Sequence, residues 1–255
     1  MKTRLRHMLG GGALALVLGV PIAHAADTIT LTETGSTLLY PLVQSWIAGY
    51  KSVASNVVLT AAATGSGAGE KAALAGTASI GASDAYLSDA IAAHNPDLLD
   101  IPLAISAQTI NYNLPDLNGA NIKIDGTTLA AIYSGAVTQW DDPAIKAMNP
   151  GVTLPHQTII PVRRAEGSGD TFIFTQFLDF SADKWENNPG YGSTIVWPNV
   201  AGEKTAIGND GLIQALLIAA GDEDMFRTVI NETLRSREAD AAGASGDESN
   251  FPCER

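Results

Sequence analysis

A strand-like run, a glycine turn and an amphipathic run follow one another three times, and this order constrains the fold more than any other feature. The turns are Gly35-Ser36-Thr37, Gly65-Ser66-Gly67 and Gly167-Ser168-Gly169. After the first turn, apolar residues recur every four positions from Leu38 to Tyr50, which is the spacing of one helix face. Strands that alternate with helices in this way predict an α/β architecture.

Each glycine turn is suited to hold an anion. A helix that begins at glycine leaves main-chain N–H groups unpaired at the positive end of its dipole, and serine adds a hydroxyl donor. Arg164 lies just before the third turn and offers a fork of donors for an oxyanion. One such turn is weak evidence because Ser and Gly also cap helices. Three turns, one of them next to an arginine, predict an anion site at the carboxyl ends of the strands.

The first 25 residues have the pattern of a secretory signal peptide. A basic start and an apolar run are followed by Ala23-His24-Ala25, a small-x-small cleavage site. No cysteine follows the apolar run, so we expect a free periplasmic protein without a lipid anchor. Cleavage removes three cations and lowers the formal charge from −12 to −15. A protein this acidic should repel nucleic acid and anionic membrane surfaces.

Cysteine and histidine usage excludes two other classes of protein. Cys253 is the single cysteine among 255 residues, so no internal disulfide framework can form. Outside the signal peptide the histidines are His94 and His156, which are far apart in the sequence. The sequence therefore predicts neither a metal site nor a cofactor.

The chain divides into a signal peptide at 1–25, a first α/β lobe at 26–104 and a second, incomplete α/β lobe at 105–220. The extended stretch from Leu99 to Leu114 is predicted to cross between the lobes. Residues 221–255 form an atypical tail that is rich in acidic residues and lacks strand patterning, so we expect it to be disordered.

The second lobe is expected to contain two strands and three helices in addition to the helix after its glycine turn. The strands are predicted at Thr158–Arg163 and Ser193–Trp197. The helices are predicted at Thr127–Tyr133, from Pro143 to near Asn149, and at Leu212–Ala219.

Asp84 follows the third short strand of the first lobe and has two possible roles. As a helix N-cap it would serve the helical segment from Ser88 to Ala93, and the sequence alone favours this role. As a ligand residue it would accept a hydrogen bond from an oxyanion that carries a proton. Hydrogen phosphate carries one and sulfate does not, so such a carboxylate would reject sulfate.

Several segments resemble the periplasmic phosphate-binding proteins of high-affinity ABC phosphate importers. The most specific segments are Gly35–Pro41, Gly65–Gly69, Gly81–Asp84 and Arg163–Gly169. Supporting segments match in order and spacing at Ile132–Gly135, Trp140–Ile145, Asn149–Gly151 and Gly208–Gly211. The resemblance extends over about Ile29 to Leu216.

The resemblance implies a type II periplasmic-binding-protein fold whose two lobes close on dehydrated inorganic phosphate without catalysis or a cofactor. It implies a monomer that delivers phosphate to a membrane permease with a cytoplasmic ATPase. Asp84 would accept the phosphate proton, Arg164 would pair with the anion, and Glu166 would steady Arg164. The implied phosphate ligands are Thr37, Leu38, Ser66, Asp84, Arg164, Ser168, Gly169 and Asp170.

The sequence departs from the family pattern in three places. Asp170 replaces a threonine, and a carboxylate facing the anion would weaken binding or require a second proton unless only its main-chain N–H is used. Leu38 replaces an aromatic residue, which matters little if only its backbone donates. The family continues well past Gly211 with elements that have no counterpart here. We therefore expect a fold that is incomplete at its C-terminus, with exposed apolar strand faces and impaired stability or binding.

Three alternatives remain open at this point. The ligand could be another tetrahedral oxyanion such as arsenate. The chain could be a secreted phosphatase or serine esterase, although neither Gly-Ser-Gly turn fits Gly-x-Ser-x-Gly and no histidine is near a candidate nucleophile in the sequence. Finally, the glycine turns could simply cap helices in a stable core.

Overall fold

A computed structural model of the protein describes residues 27–114, 117, 121–186 and 188–218. The predicted signal peptide and the predicted disordered tail lie outside these residues. No helix in the described ranges is long and apolar enough to cross a membrane. In chain order the elements are β1 (Ile29–Gly35), α1 (Tyr40–Val53), β2 (Val57–Ala63), α2 (Ser66–Leu74), β3 (Ile80–Ala82), α3 (Asp89–His94), α4 (Gly126–Tyr133), α5 (Pro143–Met148), β4 (Val162–Arg164), α6 (Gly169–Ser181), α7 (Asp183–Glu186), β5 (Lys204–Ala206) and α8 (Gly208–Ile218).

The first sheet is parallel and has the strand order β2-β1-β3. The register pairs Gly35 of β1 with Ala63 of β2 and with Ala82 of β3. All three strands therefore end at the same edge, where the connections to α1, α2 and α3 begin. Residues 27–98 are called the first sheet unit below.

The second sheet is also parallel and consists of β4 and β5, with Arg164 of β4 paired with Ala206 of β5. Helix α6 follows β4 and helix α8 follows β5, so both helices begin beyond the carboxyl edge of this sheet. Residues 121–186 and 188–218 are called the second sheet unit below.

The two hydrophobic clusters pack around the helices of the second sheet unit. One surrounds Ile132 and Ile145, and the other joins α4 to α6 through Leu129, Phe174 and Leu178. In the first sheet unit, by contrast, the buried hydrophobic residues among those described are Val43, Ala82 and Ala85. The core of the described chain thus lies in the second unit.

Most sequence-predicted elements are confirmed, including the α/β architecture, but the second unit differs in its strands. Ser193–Trp197 forms no strand in the described chain, because the Ser193 carbonyl accepts the N–H of Ser168 at the start of α6 (2.9 Å) and is held by a helix end. The strand that pairs with β4 is instead Lys204–Ala206, which the sequence did not predict. The expected strand at Thr158–Arg163 is shorter, since Thr158 makes only an isolated bridge to Gln139.

The segment from Leu99 to Leu114 forms neither a helix nor a strand and pairs with neither described sheet. Ile105, in its middle, is fully exposed. The division into lobes near residues 104 and 105 stays a prediction.

Candidate anion-binding site

Ser36 organises the first glycine turn. It is 1% exposed, and its hydroxyl accepts the N–H groups of Leu38 (3.2 Å) and Leu39 (3.1 Å). The same hydroxyl donates to Oδ1 of Asp84 at 2.6 Å. Helix α1 begins only at Tyr40, because these bonds hold the preceding residues in a separate turn. The sequence did not single out Ser36 as a site residue, although it lies in the first glycine turn.

Ser66, the first residue of α2, holds the other oxygen of the same carboxylate. Its hydroxyl donates to Oδ2 of Asp84 at 3.1 Å and accepts the Asp84 N–H at 3.2 Å. Ser66 is 1% exposed. Asp84 is therefore fixed by two serine hydroxyls from two different glycine turns. The N-cap of α3 is Ser88, whose hydroxyl accepts the Ile91 N–H at 3.3 Å, so the alternative capping role for Asp84 is wrong.

The third glycine turn brings α6 against the first sheet unit. Ser168 is the N-cap of α6, and its hydroxyl accepts the Asp170 N–H at 3.1 Å. A Cβ atom added to Gly169 would lie only 2.7 Å from both Oδ2 of Asp84 and Oγ of Ser66. Only glycine permits this approach. The N-termini of α2 and α6 therefore meet at Asp84.

Arg164 ends β4 and is surrounded by acceptors of its own unit. It is 4% exposed, and its Nε donates to Oε1 of Glu166 at 2.8 Å, with Nη2 bonded to the same oxygen. Its Nη1 donates to Oδ2 of Asp170 (2.6 Å) and to Oδ1 of Asn209 (2.8 Å). Glu166 also accepts the Gly208 N–H at 2.9 Å. Two carboxylates thus balance the guanidinium, and the network ties β4 to the starts of α6 and α8.

The pKa values of the two carboxyl groups beside Arg164 are shifted in opposite directions. Burial acts to raise the pKa of Glu166, but hydrogen bonds from Arg164 and the Gly208 N–H outweigh it and hold that pKa below its usual value. Burial raises the pKa of Asp170 despite the nearby Arg164 guanidinium, and the negative charge of Asp84 adds to the rise. Asp84 and Asp170 therefore repel each other across the two units.

Most of the predicted site residues converge, and two differ in their surroundings. The converging residues are Ser66, Asp84, Arg164, Glu166, Ser168, Gly169 and Asp170. Thr37 lies beside the start of α8, where a Cβ atom on Gly208 would be 3.8 Å from its Cγ2. Leu38 is 40% exposed, and its N–H is already bonded to Ser36. Asn209 was missed, although the Gly-Asn-Asp-Gly motif of α8 contains it.

This arrangement is suited to hold a small anion. It brings together two helix N-termini, three buried serines and a buried cation. The Ser36 and Ser66 hydroxyls hold the Asp84 carboxylate, which can accept a hydrogen bond from a ligand that carries a proton. The histidines lie elsewhere: Nδ1 of His94 contacts the Ala90 carbonyl, and Nδ1 of His156 contacts Asp141. Within the described ranges, no three His, Cys, Asp or Glu side chains are grouped to hold a metal ion.

Comparison with known proteins identifies the family. Residues 21–244 match the family described as the PBP superfamily domain. The chain belongs to the PBP superfamily. Among relatives of this PBP-superfamily chain, the phosphate-binding protein PstS of Pasteurella multocida is 33% identical over 199 residues, covering 78% of this chain and 56% of the relative. The protein of the same name from Haemophilus influenzae is 34% identical, covering 77% and 57%. The chain spans a little over half the length of these curated relatives.

A solved structure shares the PBP-type fold. It is a candidate phosphate ABC transporter substrate-binding protein from Clostridium perfringens with bound phosphate, and it superposes with a TM-score of 0.52 at 18% sequence identity. The match covers 73% of this chain and 65% of that structure. Together with the parallel sheets and the family match, it shows that the chain has the α/β fold of this superfamily.

Proposed function

We propose that this chain is the substrate-binding protein of an ABC phosphate importer, and that it captures inorganic phosphate between two lobes without catalysing a reaction. The observation that carries the proposal is the meeting of the α2 and α6 N-termini at Asp84, whose carboxylate is fixed by Ser36 and Ser66. The relatives from Pasteurella multocida and Haemophilus influenzae are phosphate-binding proteins, which supports the same ligand.

The donors divide between the two units. Ser66 would donate from α2 through its main-chain N–H, because its hydroxyl is bonded to Asp84. Ser168 and Gly169 would donate from the start of α6, where the helix dipole favours negative charge. Thr37 and the backbone at Leu38 lie farther along the first turn and would complete the donors of the first unit. The Leu38 N–H would have to leave the Ser36 hydroxyl to donate to the anion. Arg164 already donates to Glu166, Asp170 and Asn209, so a direct bond from its guanidinium to the anion would replace one of these bonds.

Asp84 would provide selectivity. A fully ionised tetrahedral anion would place acceptor against acceptor, whereas hydrogen phosphate could donate its proton to the carboxylate. The two serine hydroxyls would prevent Asp84 from turning away from the ligand. Sulfate would therefore be rejected.

Asp170 would make binding depend on pH. Its raised pKa favours the protonated acid, in which form it repels an anion less and donates a hydrogen bond. Its main-chain N–H is already bonded to Ser168, so the side chain and not the backbone would govern its effect. Binding should strengthen as the pH falls, and the Asp170→Asn variant should lose part of this dependence.

The partners and the compartment follow from this function. The chain would act in the periplasm as a monomer, without nucleic acid, and would release phosphate to a membrane permease coupled to an ATPase. The lobes would correspond to residues 26–104 and 105–220. Hydrolysis is the less favoured alternative, because His94 and His156 contact Ala90 and Asp141 instead of a serine of the site.

The test is calorimetric titration of the full chain with phosphate, sulfate and arsenate. Phosphate should bind and sulfate should not, and Asp84→Asn should weaken phosphate binding while narrowing the preference over sulfate. Asp97→Asn, at an exposed aspartate of the same unit, is the control and should bind as the wild type does. Equal affinity for sulfate would contradict the role of Asp84, and turnover of an aryl phosphate ester would favour the hydrolase.

A further inference from the structure

Tyr86 connects the two sheet units at the rim of the anion site. It follows Asp84 by two residues, in a turn where the Ser83 hydroxyl accepts the Ala85 N–H at 3.0 Å and donates to the Ala85 carbonyl at 2.8 Å. Ala85 is buried, whereas Tyr86 is 56% exposed. The Tyr86 side chain is therefore carried on the same rigid turn as the Asp84 carboxylate, but at the solvent edge.

On the other unit, Tyr86 meets two residues of α6. Its ring lies edge-to-face on Phe172, with ring centroids 5.1 Å apart and planes at 86°. Its hydroxyl accepts a hydrogen bond of 2.9 Å from Nε2 of Gln176. Phe172 and Gln176 are four residues apart and so lie on one helix face. Tyr191 supports Phe172 from its own unit, at a centroid distance of 5.6 Å.

These contacts join the two walls of the site, which are the turn that carries Asp84 and the start of α6. Phe172 lies three residues after Gly169, within the first turns of the helix whose N-terminus faces Asp84 and Ser66. Any motion that separates Asp84 from the start of α6 must therefore also separate Tyr86 from Phe172 and Gln176.

We propose that Tyr86 is a positioning residue that sets how long a bound anion stays in the site, by holding the turn of Asp84 against α6 through Phe172 and Gln176. This inference rests on the proposed phosphate-binding function. The contact exists only while the two walls are together, so it opposes opening and slows dissociation. In the open form Tyr86 has no partner on α6, so it leaves the association rate unchanged.

The test is stopped-flow measurement of phosphate association and dissociation with the full-length chain. Tyr86→Ala should raise koff about threefold to tenfold, the effect expected of one aromatic pair and one hydrogen bond, with kon within about twofold of the wild type. Tyr86→Phe keeps the ring and should raise koff only about twofold to threefold. Gln176→Ala should raise koff as much as Tyr86→Phe does, because both remove the same hydrogen bond. The double variant Tyr86→Phe/Gln176→Ala should therefore dissociate no faster than either single variant.

Tyr50→Ala is the matched control, because Tyr50 has a similar exposed fraction of 46% but lies on α1. Its rates should equal those of the wild type. A variant that merely folds poorly would lower the binding-competent fraction without changing koff. If the wild type binds phosphate and Tyr86→Ala dissociates at the wild-type rate, the role of Tyr86 is refuted and the proposed function stands. If the wild type does not bind phosphate, both are refuted.

Discussion

The second sheet unit contains most residues of the two hydrophobic clusters, whereas the first unit contains few buried hydrophobic residues. Both units leave large apolar side chains exposed. On α6, Leu178 is fully buried and Phe174 is 8% exposed. On α1, whose apolar residues follow the same helical spacing, Trp46 is 42% exposed and Tyr50 is 46% exposed. The two helices follow equivalent strand–glycine junctions, but α1 buries only Val43, whereas α6 buries both Phe174 and Leu178.

The polar residues of the glycine turns, unlike the apolar side chains, are equally buried in the two units. Ser36 and Ser66 in the first unit and Ser168 in the second are all 1% exposed. All three are held by hydrogen bonds to the backbone at the ends of parallel strands, and Ser36 and Ser66 are also bonded to Asp84. The comparison teaches that polar junctions of this kind can be buried and hydrogen-bonded without a large apolar core behind them.

The second unit pairs its buried charge Arg164 with carboxylates, whereas within the described ranges Glu33 of the first unit has no paired cation. Of the substitutions considered, Arg164→Ala should lower the free energy of unfolding most. Its loss removes a buried guanidinium and leaves the half-buried carboxylates of Glu166 and Asp170 without a counter-charge, so we expect stability to fall by about 3 kcal/mol. Denaturant midpoints would measure the loss. Arg163→Ala is the control, because Arg163 pairs with Glu203 at 2.6 Å but is 20% exposed, and it should cost only about 1 kcal/mol. Equal losses of stability in the two variants would show that the Arg164 network stabilises the fold no more than the Arg163–Glu203 pair does.

Amide hydrogen exchange would test the difference in packing directly. The amides of β2 and α1 should exchange roughly 100-fold faster than those of α4 and α6, because local opening in the first unit exposes little buried apolar surface. Mass spectrometry of peptic fragments from the full chain would resolve the four segments. Similar protection in both units would contradict the comparison.

Two helical glycines of the first unit should respond to alanine with opposite signs. A Cβ atom on Gly69 would lie 2.6 Å from the Ala82 carbonyl oxygen and 2.7 Å from that of Thr34, so Gly69→Ala should cost about 1–3 kcal/mol. Gly49, in α1, has open space around it, and Gly49→Ala should stabilise by about 0.5–1 kcal/mol. Thermal unfolding measures both. A large loss for Gly49→Ala would mean that α1 is covered in solution.

Glu33 is a buried carboxyl group of the first unit without a paired cation among the described residues, and its replacement should have a small effect. It is 4% exposed, and within the described chain neither carboxylate oxygen makes a hydrogen bond of good geometry. Burial raises its pKa, and the Ala62 amide opposes only part of the rise. Ionised Glu33 thus destabilises the fold above its raised pKa, and Glu33→Gln should stabilise at neutral pH by about 1 kcal/mol.

The pH dependence identifies the cause of that gain. As the pH falls through the raised pKa toward the ordinary glutamate value of 4.5, wild-type Glu33 becomes protonated and the advantage of Glu33→Gln should disappear. Glu186→Gln, at an exposed glutamate of α7, should have no effect at either pH. A gain from Glu33→Gln that persists at low pH would point to packing instead of charge.

Local signals in the sequence were sufficient for most elements. Asp125 and Asp142 cap α4 and α5 with their side chains, and the alternation from Ile29 to Thr34 predicted β1. Strand β5 escaped prediction because three residues, Lys204–Ala206, carry too little pattern to distinguish a strand from a loop. Ser193–Trp197 has the composition of a strand, but its partner is the start of a helix.

The sequence by itself determined the three strand–glycine–helix junctions, because each depends on residues within about ten positions of one another. Only the tertiary structure decided what the junctions do together. Ser36 and Asp84 are 48 residues apart, and Arg164 and Asn209 are 45 apart, so no local pattern could pair them. The exposure of the apolar face of α1 is also tertiary, because spacing shows that a helix has such a face and only the neighbouring elements determine whether it is covered.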